Sequence, residues 1–171
     1  MERGDNVKEE STWLDYAVEV GCSLCIGYLV SRFVRVAIAR GESMRPTIKH
    51  NQPVLLDCRR SRKQRLRRQD LIAFRAHQKK QLKFFLKRVI ALPGDHLVIE
   101  SGNVFINGHL IEEDYLNESM NRHDKVDLMI DEGKLFVMGD NRNDSLDSRN
   151  PRLGVIDIEK DVLGVVVQLK K

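Results

Sequence analysis

Eleven residues, 139–149 (GDNRNDSLDSR), carry an unusual density of charged and hydrogen-bonding side chains. They directly follow a short apolar run, 135–138 (LFVM), which is typical of a buried strand. Asp, Asn, Ser and Gly favour turns, and their side chains can hydrogen-bond to nearby backbone groups. The pattern therefore predicts a segment that either binds a ligand or locks a buried corner of the fold. Two other places in the chain, around Ser43 and Lys87, could form a chemical site with it.

Ser43 lies in the segment 41–47 (GESMRPT), where Gly and Pro favour a bend that could present the hydroxyl at the end of a strand. A serine in such a turn is more often structural than catalytic, and a nucleophilic serine needs a base. The chain has five histidines, but all are scattered outside any recognisable motif: His50, His77, His96, His109 and His123. The sequence therefore does not favour histidine as that base.

Lys87 lies within an apolar strand candidate, 84–95 (FFLKRVIALPGD). Strand alternation would place Lys87 and Val89 on one face, and Leu86 and Arg88 on the other. Burial disfavours the charged form of a lysine, so its pKa falls. A lysine with a pKa of about 10.4 is neutral roughly once in a thousand at pH 7.4, and lowering the pKa by about 2 units raises that fraction about a hundredfold. The same pattern also suits an edge-strand lysine whose ammonium reaches water.

Three segments, SMRPT (43–47), KRVIALPGD (87–95) and GDNRNDSLDSR (139–149), resemble the boxes of the type I signal peptidases in order and spacing. The resemblance covers residues 36–164 and includes NGHLIEEDYL (107–116), which is similar to a further segment of that family. It implies a membrane-bound serine endopeptidase that removes signal peptides from exported preproteins. It also implies a mostly β fold, with a partly closed, barrel-like catalytic domain and one N-terminal transmembrane helix. No metal and no cofactor are implied.

The family uses a Ser–Lys dyad, so the resemblance implies Ser43 as the nucleophile and Lys87 as the general base. Ser145 would hydrogen-bond to the lysine amine and orient it. Asp147 and Arg149 match the family's ion pair that holds this corner together. The remaining matching positions are expected to be structural: Gly139, which would let backbone approach closely, together with Asp140, Asn141, Arg142 and Arg88.

The resemblance also implies how a substrate binds. Met44, Phe85 and Leu86 would line shallow apolar pockets for small side chains one and three residues before the scissile bond, which corresponds to an Ala-x-Ala-like cleavage site. The backbone N–H of Ser43 would donate to the oxyanion. Some relatives place a second donor, a serine hydroxyl, two residues before the nucleophile. In this chain Gly41 stands there, which resembles the Gram-positive branch of the family.

The elements that must position these residues are expected to be mainly strands. With 171 residues, 42% hydrophobic and 32% charged, the chain can form one globular domain with a substantial core. Short apolar runs at 53–57 and 70–74 suggest a two-stranded unit with a basic tip. A longer strand is expected over 81–92, where a Pro-Gly turn stops it. The remaining candidates are a meander over 96–111, an irregular polar segment over 112–131, and closing strands at 135–138 and 162–169.

The N-terminal region is expected to contain a tail and an anchor. Residues 1–12 are polar and charged and predict a disordered tail. The resemblance implies that this tail is cytoplasmic, that residues 13–35 form a membrane anchor, and that residues 36–171 form an extracytoplasmic peptidase domain. Asp15 and Glu19 shorten the uninterrupted apolar core to about half of the ~20 residues that a span requires. Hydropathy alone leaves open a transmembrane helix and a buried or surface-lying helix. The resemblance favours a single-pass protein of the plasma membrane.

Seven of the ten residues 59–68 are Arg or Lys. This basic cluster suits a solvated loop, contact with anionic lipid headgroups or, less readily, nucleic acid. The resemblance predicts secretory preproteins and membrane lipids as partners, with the secretion translocon as a further candidate, and no nucleic acid. The three cysteines (Cys22, Cys25 and Cys58) are expected to be small buried thiols rather than a zinc site.

Two other functions compete with the peptidase. A self-cleaving stress-response repressor also has a Ser–Lys dyad on a related β fold. Such repressors carry an N-terminal helix-turn-helix, for which the segment before Ser43 leaves little room, and they lack the third box. A membrane-tethered or nucleic-acid-binding β domain would instead act through the basic cluster, with an inactive dyad.

Overall fold

The computed structural model describes residues 12–59, 66–78 and 81–167. The chain divides into two compact units, one ending at Phe33 and the other beginning at Val34. The expected tail lies outside the described residues except for Thr12, as do residues 60–65 of the basic cluster. At the ends of that cluster, Arg59 and Arg68 form ion pairs with acidic residues outside it.

The first unit contains a 21-residue helix, α1 (Trp13–Phe33). It begins with a capping interaction, because the Asp15 carboxylate accepts hydrogen bonds from the backbone N–H and the hydroxyl of Thr12 at 2.7 and 2.9 Å. Within the described ranges, no helix combines the length and the apolar character that a membrane crossing needs. Cys22 and Cys25 are exposed on α1, so the expectation of buried thiols is wrong for both and right only for Cys58.

The second unit is mostly β. Its described elements, in chain order, are β1 (Val34–Ile38), β2 (Pro53–Asp57), β3 (Leu71–Gln78), β4 (Gln81–Ala91), β5 (His96–Glu100), β6 (Asn103–Ile106), β7 (His109–Leu110), β8 (Val126–Met129), β9 (Lys134–Met138), β10 (Ile156–Asp157), α2 (Ile158–Asp161) and β11 (Val162–Val166). Seven strands form one antiparallel sheet in the order β1-β2-β11-β3-β4-β9-β10, and four form a second in the order β7-β6-β5-β8.

The two strands that flank the basic cluster, β2 and β3, do not pair with each other. Instead β11 lies between them, with Val166 opposite Leu56 and Val165 opposite Ile72. The expected two-stranded unit is therefore wrong. The physical reason is that β11 carries an apolar run which becomes buried when it is paired on both sides, and local sequence does not reveal such a long-range insertion.

The second sheet contains the expected meander, β5-β6-β7, and one strand that was not expected. β8 lies within the segment 112–131 and pairs with β5, with Leu97 opposite Leu128. Within the described residues neither sheet closes on itself. The mostly β class is therefore confirmed, whereas the partly closed barrel is not seen.

The loop between β1 and β2 carries Ser43 and is anchored in an apolar cluster. Met44 and Ile48 are buried there against Leu56, Leu71 and Val166. Burying one such side chain contributes roughly 1.5–3 kcal/mol, as an upper estimate. The chain just after Ser43 is therefore fixed to the large sheet.

Strand β4 carries Lys87 and changes character along its length. It pairs with β3 from Gln81 to Arg88, but it pairs with β9 only from Arg88 onward. The first part of β4 therefore has one paired edge and one open edge among the described strands. Its side chains are exposed over residues 81–84 and become buried at Lys87. The strand thus runs from an open groove into the core.

Candidate active site

Lys87 and Ser43 meet at the point where β4 becomes buried. Lys87 Nζ donates a hydrogen bond to Ser43 Oγ at 2.6 Å, and the lysine is only 3% exposed. Burial lowers the pKa of Lys87 to about 8, although the carboxylates of Asp147 and Asp140 oppose the shift and Arg149 reinforces it. At pH 7 about one lysine in ten would then be neutral. In that form the amine can accept the serine proton across the same contact.

Two hydrogen bonds fix the loop that carries Ser43: one joins the two ends of the loop, and the other joins the loop to the segment 139–149. Gly41 has a φ of 98°, a left-handed conformation that favours glycine, and its N–H donates to Nδ1 of His50 at 3.0 Å. On the other side the N–H of Asn141 donates to the carbonyl of Ser43 at 3.0 Å. The segment 139–149 therefore contacts the segment that carries Ser43 directly.

His50 is a residue at the site that the sequence did not reveal. It lies at the end of the same loop as Gly41, and its ring accepts the backbone N–H two residues before the serine. The sequence indicates a role for His50 only through its place in the chain, because a tight loop between β1 and β2 brings residues near its two ends together.

Arg88 joins the lysine strand to the serine loop. Its guanidinium is buried and donates to both carboxylate oxygens of Asp140, at 2.7 and 2.5 Å, and to the carbonyl of Gln69 at 3.1 Å. It also donates to the hydroxyl of Thr47 at 3.3 Å, and that hydroxyl hydrogen-bonds to Asp140. Buried, bidentate and fully hydrogen-bonded pairs of this kind fix geometry. The arrangement fits a structural role for Arg88.

Tyr115, from the segment 107–116, packs behind the same junction. Its ring centre lies 3.8 Å from Cζ of Arg88, which is a cation–π distance. Its hydroxyl donates to Glu113 at 2.6 Å, and burial together with that carboxylate raises the pKa of Tyr115. Glu113 in turn accepts two hydrogen bonds from Arg142, at 2.6 and 2.5 Å. This segment therefore supports Arg88, the residue that follows Lys87 on β4.

The corner formed by the third box is held by Asp147 and Arg149. The guanidinium donates to the carboxylate at 2.9 and 2.8 Å, and the carboxylate also accepts the N–H of Gly139 at 3.0 Å. Burial opposes ionisation of Asp147, but these partners hold its pKa below the ordinary value. Arg149 also pairs with Asp124 and donates to the carbonyl of Arg142, each at 2.6 Å.

Gly139 lies where backbone and side chains converge. A Cβ atom there would lie 2.2 Å from Ser145 Oγ and 2.5 Å from the Ser43 carbonyl oxygen, so only glycine fits. Ser145 is therefore next to the serine loop, but the expected hydrogen bond to Lys87 is not formed. Its hydroxyl is buried without a partner of hydrogen-bond geometry, although it is close enough to Asp147 to help lower the pKa of that carboxyl.

An open groove leads away from the two residues. A cavity of about 210 Å³ beside Ser43 and Lys87 is lined by Met44, Phe85 and Leu86, the three residues expected to contact substrate. A larger cavity of about 710 Å³ shares Phe85 and Leu86 and continues along the end of β1 and the open part of β4. Among the described residues, no group of three His, Cys, Asp or Glu side chains could hold a metal ion.

Comparison with known proteins identifies the family. The sequence model described as "Signal peptidase, peptidase S26" matches residues 13–169. The chain belongs to this family. Signal peptidase I P of Bacillus subtilis subsp. natto is 32% identical over 168 residues, which cover 92% of this chain and 89% of the relative. Signal peptidase I U of Bacillus subtilis (strain 168) is 35% identical over 140 residues, which cover 77% and 73%.

Among solved structures, a signal peptidase I from Enterococcus faecalis V583 is 32% identical, with a TM-score of 0.49, and the match covers 60% of this chain and 97% of that one. The resemblance to the type I signal peptidases is thus confirmed by the family match and the relatives. This signal peptidase is a serine peptidase, a hydrolase that acts on the signal peptides of preproteins.

Proposed function

We propose that this signal peptidase is a membrane-bound endopeptidase that cleaves after small residues, with Ser43 and Lys87 as its catalytic dyad. The observation that carries the proposal is the 2.6 Å contact between Lys87 Nζ and Ser43 Oγ at the closed end of an apolar groove. The burial of the lysine supports it further, since the resulting pKa of about 8 makes the amine available as a base near neutral pH.

In the proposed acylation, neutral Lys87 accepts the hydroxyl proton while Ser43 Oγ bonds to the scissile carbonyl carbon. The carbonyl oxygen becomes an oxyanion. The lysine ammonium then gives its proton to the leaving amine, the C–N bond breaks and an ester on Ser43 remains. In deacylation Lys87 takes a proton from water as the water oxygen attacks the ester. That proton returns to Ser43 Oγ when the acid product leaves.

The backbone N–H of Ser43 is the proposed oxyanion donor. It makes no hydrogen bond within the described part of the chain, so it is available to the reaction. The N–H of Gly41 is already committed to His50. A well-placed donor of this kind contributes about 3–4 kcal/mol to transition-state stabilisation.

Ser145 is proposed to orient the lysine during the reaction. Its hydroxyl is buried without a partner of hydrogen-bond geometry, close to the Asp147 carboxylate. By rotation of the serine side chain, the hydroxyl could accept a hydrogen bond from the Lys87 ammonium when the charge forms. The ion pair of Asp147 and Arg149 and the close approach at Gly139 would keep this corner in place.

Substrate would bind as an extended chain in the groove. In a strand, alternate side chains point to the same side, so the residues one and three positions before the scissile bond would both face Met44, Phe85 and Leu86. The cavity beside Ser43 measures about 210 Å³ and suits small side chains. This supports an Ala-x-Ala-like cleavage site.

Membrane attachment is proposed for residues 13–35, with residues 1–12 in the cytoplasm, residues 36–171 outside it, and the plasma membrane as the location. At about 1.5 Å per residue, α1 is about 31 Å long, close to the thickness of a bilayer core, but it does not combine this length with the apolar character of a span. The proposal therefore rests on the resemblance to the family. Exposed apolar side chains near the groove, such as Val36 (72% exposed) and Phe84 (70%), suit contact with membrane lipids. The secretion translocon is proposed as a further partner.

A precursor-processing assay tests the dyad. Co-expression of a secreted precursor with Ser43→Ala or Lys87→Ala should reduce processing by roughly 10³-fold or more. Ser119→Ala and Lys160→Ala change the same residue types at exposed positions and should leave processing intact. If the precursor is still processed by either dyad variant, the assignment of the dyad is wrong. If function survives both dyad substitutions but is lost when the basic residues of 59–68 are neutralised, the result supports a binding domain instead. Protease protection of membrane vesicles tests the anchor and its orientation.

A further inference from the structure

Two cations line the groove where it leads away from Ser43. Arg40 lines both the small cavity and the larger one, and Lys83 lines the larger one. Both side chains are exposed, and neither forms an ion pair with another described residue. No Asp or Glu lines either cavity among the described residues. The groove therefore combines apolar walls with positive charge that has no partner within it.

The positions of these cations can be related to the scissile bond. Lys83 lies four residues before Lys87 on β4, and a strand rises about 3.3 Å per residue, so the two are about 13 Å apart along the strand. A substrate extended along the open edge of β4 has the same rise. Lys83 would therefore be level with the fourth residue before the scissile bond. Arg40 lies nearer to Ser43, where the two cavities meet.

Strand alternation determines which substrate side chains are free to meet a charge. The first and third residues before the scissile bond would occupy the apolar pocket, so the second and fourth would point the other way. We infer that the groove favours signal peptides with a carboxylate at these two positions, with Arg40 serving the second and Lys83 the fourth. The inference rests on the proposed function, because it assigns the substrate preference of the same site.

The size of this preference is limited because the side chains of Arg40 and Lys83 are exposed to solvent. Exposed ion pairs are weak, corresponding to roughly a two- to fivefold preference each, while low-dielectric walls such as Phe84 and Phe85 concentrate the field of a nearby charge. Anionic lipid headgroups could in principle attract the same cations. The substrate is favoured because Arg40 lines the cavity beside Ser43, and Lys83 lines the larger cavity that shares Arg40, Phe85 and Leu86 with it.

The test uses the full chain in a nonionic detergent, with three Ala-x-Ala peptides that differ only in having Asp, Ala or Lys at the fourth position. The expected order of kcat/KM is Asp above Ala above Lys, with about a two- to fivefold difference between Asp and Ala that shrinks at high salt. Lys83→Glu should reverse the order. Lys125→Glu makes the same charge change on an exposed side chain that lines neither cavity, and it should preserve the order. In peptides that carry Asp, Ala or Lys at the second residue before the scissile bond, Arg40→Glu should likewise reverse the order of kcat/KM.

Equal kcat/KM for the three peptides, or reversal by Lys125→Glu as well, would overturn the inference. The inference would also be overturned if Lys83→Glu and Arg40→Glu changed kcat/KM only in the presence of anionic vesicles and equally for all peptides. That result would show that the two cations contact lipid. Binding of the peptides to the Ser43→Ala variant, measured by fluorescence anisotropy, separates this inference from the proposed function. Preferential binding of the Asp peptide supports the inference whether or not the wild-type chain cleaves the peptides. Absence of cleavage by the wild-type chain would refute only the proposed function.

Discussion

The buried lysine predicts how cleavage depends on pH. Burial lowers the pKa of Lys87 to about 8, and in the proposed mechanism this lysine must be neutral to act as the base. The neutral fraction is then about 1% at pH 6, about 10% at pH 7 and about 90% at pH 9. We expect kcat/KM to rise about tenfold per pH unit below this pKa and to become constant above it. An ordinary lysine would give the same curve displaced upward by roughly 2.5 pH units.

Replacing Asp147 by Asn perturbs this titration in a defined direction. The Asp147 carboxylate raises the pKa of Lys87, and Arg149 lowers it. The substitution removes the first influence and leaves the second opposed only by Asp140, so the pKa of Lys87 should fall and the midpoint of the profile should move to lower pH. The Asn side chain keeps an oxygen that can accept the N–H of Gly139, now bonded at 3.0 Å. Weakening of the ion pair with Arg149 is expected to lower the plateau.

The assay is kcat/KM for a fluorogenic signal-peptide substrate from about pH 6 to about pH 10, at constant ionic strength. Asp157→Asn removes a carboxylate from a different part of the fold, and it should leave the midpoint unchanged. A substitution that only damages the corner would lower the plateau without moving the midpoint. A midpoint that stays fixed or moves upward in Asp147→Asn would refute the electrostatic reasoning. A wild-type midpoint near 10 would refute the effect of burial itself.

Three further outcomes are expected. Lys87→Met should raise the free energy of unfolding by up to about 3 kcal/mol below pH 8, because the folded wild type binds a proton at Lys87 less readily than the unfolded chain does. The wild-type Tm should rise between about pH 8 and 10.5, and thermal melts of Lys87→Met should lack that rise. Gly139→Ala should abolish most peptide cleavage by displacing the Ser43 carbonyl, whereas Gly27→Ala meets no atom within 4 Å and should not. His50→Leu should lower kcat about three- to tenfold, with KM unchanged, and His50→Gln, which keeps an acceptor for Gly41, should restore most of it.

The sequence predicted the family better than the topology. Three boxes with fixed residue types identified the family, and the structure brings Ser43 and Lys87 from two of them to 2.6 Å. The insertion of β11 between β2 and β3 could not be predicted, because strand order depends on packing between distant segments. β8 was missed since its polar flanks obscure a run of only four residues.

Local side-chain geometry was also beyond the sequence. His50 belongs to no box, and its contact with Gly41 exists only because the loop closes on itself. Ser145 lies beside the serine loop as its box suggests, but the direction of a hydroxyl depends on rotation about a single bond. Cys22 and Cys25 are exposed although they lie in an apolar run. An apolar run does not by itself reveal whether its side chains are buried.

The place of β11 in the large sheet determines when the peptidase can become active during its own synthesis. The hairpin of β1 and β2 presents the serine, the hairpin of β3 and β4 presents the lysine, and β11 is the strand that hydrogen-bonds to both. A ribosome makes these two hairpins well before β11, so their facing edges stay unpaired until residues 162–166 emerge. In a growing chain the proposed dyad would therefore be fixed in place only after this late strand docks.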